Sequence, residues 1–79
     1  MGEVIGMYTG KLKRIRRELG LTQKQLGKLI EYSSTWISEA ERDEAQARNA
    51  LVHINSIRRC FPDDLSFKKF VKDYVSMEE

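Results

Sequence analysis

Apolar residues along the chain recur at three- and four-residue steps, and no stretch alternates strictly between apolar and polar, so the pattern predicts helices without strands. Five segments fit. The first runs from about Thr9 to Leu19 with Leu12, Ile15 and Leu19 on one face, and Gly20 stands where a left-handed residue ends a helix. The second has the clearest start: Thr22 and Gln25 have the spacing of a capping box, and Leu21 before the cap can staple onto Leu26. Leu26, Leu29 and Ile30 form its inward face, and Gly27, which costs about 1 kcal/mol in mid-helix, marks a place where something packs closely.

Ser33 or Ser34 caps a short third helix, about 33–42, anchored by Ile37. A fourth, about 45–61, places Ala47, Ala50, Leu51, Ile54, Ile57 and Phe61 on one stripe before Pro62 stops it. A fifth, about 64–76, displays Phe67, Phe70, Val71, Tyr74 and Val75 on one side. Residues 1–8 read as a flexible lead-in and 77–79 as a frayed tail, leaving a single domain over 9–76. The expected class is all-α, a compact bundle of about five short helices.

Composition narrows the chemistry. The 79 residues include one histidine, one cysteine and one proline, too few for the usual Cys/His zinc sets or for a disulfide. No metal, cofactor or enzymatic triad is therefore expected, since a nucleophile, base and orienting acid cannot be assembled around His53 at a recognisable spacing. His53 reads as a surface or half-buried helix residue, and Cys60, next to Phe61, as a small core filler. No uncharged stretch approaches the roughly 18–20 residues of a membrane span, and Glu3 stands where a signal peptide carries bases. A cytoplasmic protein with no membrane partner is expected.

The net charge of +2 hides an uneven distribution. Residues 1–30 hold seven bases against two acids, whereas 31–50 hold two bases, Arg42 and Arg48, against five acids. A basic front of this kind attracts polyanions.

Two short helices joined by a tight turn, the first opened by Thr22-Gln23 and the second polar and Ser-capped, form a helix-turn-helix pattern. The stretch from Leu12 to Arg42 resembles the DNA-binding domain of the phage-repressor or Cro-like (XRE) family of prokaryotes and phages, in which a lambda-repressor-like bundle carries the motif. Arg16, Gly20, Leu21, Thr22, Gln23, Leu26, Ser33, Ile37, Ser38 and Glu41 stand in register with it. The resemblance implies a transcriptional regulator, a repressor, that binds double-stranded DNA as a homodimer with helix 33–42 in the major groove.

The resemblance also implies roles. Ser34, Thr35, Ser38 and Glu39 would read bases, where hydroxyls meet base edges and a carboxylate accepts from cytosine N4. Gln23 and Ser33, at helix starts, would hold phosphates, with Lys11, Lys13, Lys24, Lys28 and Arg42 as further phosphate contacts. Arg16 and Glu41 match a partly buried structural ion pair. Glu31 replaces the family's usual turn glycine, so either it takes a left-handed backbone or the turn has another shape. Gly27 replaces its usual alanine. Residues 33–44 contain one base and four acids, a composition that repels phosphate unless Glu41 is paired, Glu39 faces bases, and Asp43 and Glu44 point away.

Trp36 covers the edge of the core or packs on a sugar-phosphate backbone or a protein partner. Phe67, Phe70 and Tyr74 of the fifth helix are either a dimer or partner contact or simple closure of the core. Two other functions compete with the first: a protein-interaction module on the same fold, binding another regulator, and the DNA-binding head of a longer sensor protein.

Overall fold

The computed structural model describes residues 6–77. Within them the chain forms five helices and no strand: α1 Met7–Glu18, α2 Gln23–Ile30, α3 Ser34–Ala40, α4 Glu44–Arg58 and α5 Asp64–Met77. The all-α class expected from the periodicity is the observed one. Most of the lead-in expected over 1–8, and the last two residues of the expected tail, lie outside the described residues. The rest is corrected at both ends. Met7 and Tyr8 already belong to α1, whose first amides find acceptors far along the chain, and Met77 still belongs to α5.

Capping residues set most of the remaining boundaries. Thr22 Oγ1 accepts from the Gln25 amide at 3.1 Å while Gln25 Oε1 accepts from the Thr22 amide at 2.9 Å, the reciprocal pair read from the sequence. Ser33 Oγ accepts from the Trp36 amide and starts α3 one residue later, and Asp43 does the same for α4 through the Gln46 amide. The fourth helix stops at Arg58, three residues before the expected end. Its exit tightens into three-residue bonds, Cys60 to Ile57 and Phe61 to Arg58, because the residue preceding Pro62 is disfavoured in helical geometry.

The core draws on all five helices: Leu12 and Ile15, Leu26, Leu29 and Ile30, Ile37 and Ala40, Ala47, Ala50, Leu51 and Ile54, and Phe67 and Val71 are buried, with Leu21 between α1 and α2. One sequence alternative is decided here and one expectation fails. Phe67 has no exposed surface and is not available as a dimer or partner contact; it points inward with Val71, while Phe70 lies at the margin. Cys60 is exposed in the tightened exit beyond the end of α4 and is not a core filler.

The turn between α2 and α3 takes the left-handed alternative. Glu31 sits at φ 67°, ψ 43°, with the Tyr32 amide bonded back to Gly27 O at 2.7 Å. That loop folds so tightly over α2 that a Cβ at Gly27 would collide with the Tyr32 carbonyl oxygen and crowd the Ser33 backbone. The glycine inferred to allow close packing thus admits the turn itself. A left-handed non-glycine residue costs about 1–2 kcal/mol. Glu31→Gly is expected to raise stability by about 0.5–1 kcal/mol in urea denaturation, the gain being reduced by glycine's greater unfolded-state entropy. No gain would mean that the turn carries no such strain.

Candidate nucleic-acid interface

The outward face of α3 is built on two inward anchors. Ile37 and Ala40 are fully buried, which turns Ser34, Thr35 and Glu39 to solvent and leaves Ser38 half-buried beside them. These four residues occupy one continuous side of the helix, as the spacing 34, 35, 38, 39 requires. The surface is small, polar and rich in hydroxyls. Lys24 and Arg42 are exposed on neighbouring elements, Lys13 is half-buried on α1, and Lys28 is exposed near the end of α2 with its backbone carbonyl accepting from the Tyr74 hydroxyl at 3.2 Å.

Lys11 is not with them. It lies five residues from Arg16, about 140° around α1, in a groove between α1 and α4.

The acids on and after α3 are for the most part committed to internal contacts. Glu41, 5% exposed, accepts from Arg16 Nε and, at 3.4 Å, from Arg16 Nη2. Arg16 Nη1 also donates to the Leu21 carbonyl at 3.0 Å, so one guanidinium joins α1, the α1–α2 link and the exit of α3. Gln23 Nε2 donates to Glu41 Oε1 at 3.1 Å. The amide expected to hold a phosphate is therefore turned towards this pair, and its backbone remains at the start of α2. Asp43 is occupied as the α4 cap.

Glu44 supplies what the sequence did not reveal. Its carboxylate accepts from the Tyr8 amide at 2.9 Å, the Thr9 amide at 3.1 Å and the Thr9 hydroxyl at 3.0 Å, across more than thirty residues of sequence. It thereby satisfies the open N-terminal amides of α1 and places negative charge at the positive end of that helix. The Tyr8 amide foremost, helped by Thr9, holds the Glu44 carboxyl below its ordinary value against a smaller opposing effect of desolvation. A lowered folded-state value means stability that is present above the unfolded-state value and lost as pH falls through the folded one. Glu44→Gln is accordingly expected to flatten the acid limb of the stability–pH curve, read by thermal melts from neutral to acidic pH; an unchanged limb would remove Glu44 as its source.

Trp36 is half-buried and stacks on Tyr32 with ring centres 3.9 Å apart and planes inclined by 16°. The Tyr32 hydroxyl meets His53 Nε2 at 3.1 Å, tying the α2–α3 turn to α4. Trp36 thus covers the core margin and holds the turn, the first of the three roles read from the sequence. Among the described residues no group of three or more His, Cys, Asp or Glu side chains is placed to hold a metal, and no helix is long and apolar enough to cross a membrane.

A tight-turned helix pair with a buried clamp behind it and a polar second helix in front defines a helix-turn-helix module, the class of domain that places its second helix against DNA. A family model described as a helix-turn-helix domain matches residues 9–54, from α1 through most of α4, and the chain belongs to that family. The match agrees with the Cro-like resemblance of Leu12 to Arg42. No curated protein and no solved structure matched the chain significantly.

Proposed function

We propose that the protein is a sequence-specific double-stranded DNA-binding regulator, a cytoplasmic repressor acting as a homodimer, that reads the major groove with α3. The observation that carries this reading is the internal use of Glu41, Asp43 and Glu44, which pairs one of the four acids with Arg16 and ties two more to helix N-termini. Glu39 is left outward beside Ser34 and Thr35, where a carboxylate accepts from cytosine N4 and hydroxyls meet base edges or thymine methyls. Lys24 and Arg42, with the backbone amides opening α2, supply phosphate contacts. A single module makes few base contacts, so two copies on a two-fold site with half-sites about one helical turn apart complete the reader.

The test is selection of duplexes from a random pool followed by titration of the selected site against salt. The expected result is an enriched two-fold site and an affinity that falls by several powers of ten per tenfold rise in salt. Replacing Ser34, Thr35 and Ser38 with alanine should erase the preference for that site, whereas Lys24→Ala should weaken all sequences about equally and lower the salt slope by about one. No enrichment and no binding at low salt would overturn the reading in favour of a protein partner.

A further inference from the structure

A groove of about 390 Å³ runs between α1 and α4. Lys11, Arg48 and Arg58 stand around it, and Ile15, Leu51 and Val52 give it an apolar floor. No carboxylate is among its lining residues, and neither Lys11 nor Arg48 has a partner among the described residues. Arg58 is held in place: its guanidinium lies over the Phe67 ring at 5.6 Å, and Asp64 Oδ1 stands 3.3 Å from its Nε. That Nε is shielded from solvent yet makes no hydrogen bond, so Asp64 supplies charge without satisfying the donor.

Two unpartnered cations, Lys11 and Arg48, beside a third that Asp64 already compensates raise the local concentration of anions around one concavity, and a fixed guanidinium is suited to a phosphate or carboxylate. The apolar floor adds a second requirement, a hydrophobic body on the same molecule. The volume lies within the range of small-molecule sites. From these features we infer that the groove binds a small organic anion, a phosphate or carboxylate attached to an aromatic or aliphatic group.

Duplex DNA fits it less well. Lys11 lies about 140° around α1 from Arg16, which reaches the end of α3, and Arg48 lies about 140° around α4 from His53, which reaches Tyr32 before the start of α3. The groove therefore opens on the side of both helices away from the reading face, and a nucleic-acid backbone has nothing apolar to set on Ile15, Leu51 and Val52.

The experiment is a titration of the isotope-labelled protein, without DNA and at constant ionic strength, with inorganic phosphate and with phenyl phosphate, following backbone amides by NMR. Saturable shifts are expected along the facing sides of α1 and α4. Phenyl phosphate should half-saturate at about a tenfold lower concentration than phosphate, because its ring buries apolar area. The double variant Lys11→Gln, Arg48→Gln changes two exposed, unpartnered side chains and should fold normally while weakening phenyl phosphate by about tenfold. Absence of saturation, equal affinity for the two anions, or binding unaffected by the double variant would each overturn the inference. A double variant that loses duplex affinity in a protein that does not bind phenyl phosphate would also overturn it and make the groove a DNA-backbone surface.

Discussion

Glu41→Ala is expected to remove about 3 kcal/mol of folding stability, because it leaves the Arg16 guanidinium in a largely enclosed position without its counter-charge. Gln23 loses its acceptor in the same step. A domain of this size holds roughly 4–12 kcal/mol in all, so the loss should lower the melting temperature by about 12–24 °C. The companion variant Arg16→Met, Glu41→Leu removes both charges and should lose far less, since well-packed apolar residues often replace such pairs at little cost. Thermal and urea denaturation of the two variants provide the check. A loss under about 1 kcal/mol for Glu41→Ala would place the pair with ordinary surface bridges.

The second large effect separates two phenylalanines three residues apart. Phe67→Ala is expected to cost about 3–5 kcal/mol, the usual toll for emptying a fully buried aromatic site, and to loosen Arg58 and Phe61, whose side chains rest against the ring. Phe70, 36% exposed and packed at a tilt between Phe61 and Tyr74, should cost only about 1 kcal/mol on the same change. Urea denaturation at low protein concentration distinguishes them. Equal losses would mean that the burial of Phe67 contributes nothing special. Sedimentation of Phe70→Ala then asks a separate question, whether the α5 margin contributes to self-association.

Local interactions were legible in the sequence. The Thr22–Gln25 box and the left-handed Gly20 depend on residues within a few places of one another, where local chemistry decides the backbone, whereas the choice of Ser33 over Ser34 as the cap and of a left-handed Glu31 over another turn shape was left open by the sequence. The Arg16–Glu41 pair was legible for another reason: it belongs to the resemblance. What periodicity could not resolve was depth within an apolar face, because Phe67 and Phe70 share a stripe and only the placement of α5 against the rest decides which one is covered. Cys60 was misjudged from its neighbour Phe61, although the two point in different directions on leaving α4. Glu44 was invisible as a cap because its partners, Tyr8 and Thr9, lie three helices earlier in the chain and come within its reach only once the bundle has closed. The outward side of α3 was legible as a face, while the fate of the nearby acids required the fold.

Glu41 at the exit of α3 and Glu44 at the start of α4 stand three residues apart, yet they grip α1 at points seven to eight residues apart, Arg16 and Tyr8 with Thr9. Along a helix that separation is about 10–12 Å. A single attachment would act as a ball joint and let the connection swivel in every direction. Two attachments along a rod leave only rotation about the line joining them, and the packing of α3 against α2 and α4 blocks that rotation. The bearing of the outward helix is thus fixed in the manner of a bracket bolted twice to a beam, with α1 as the beam.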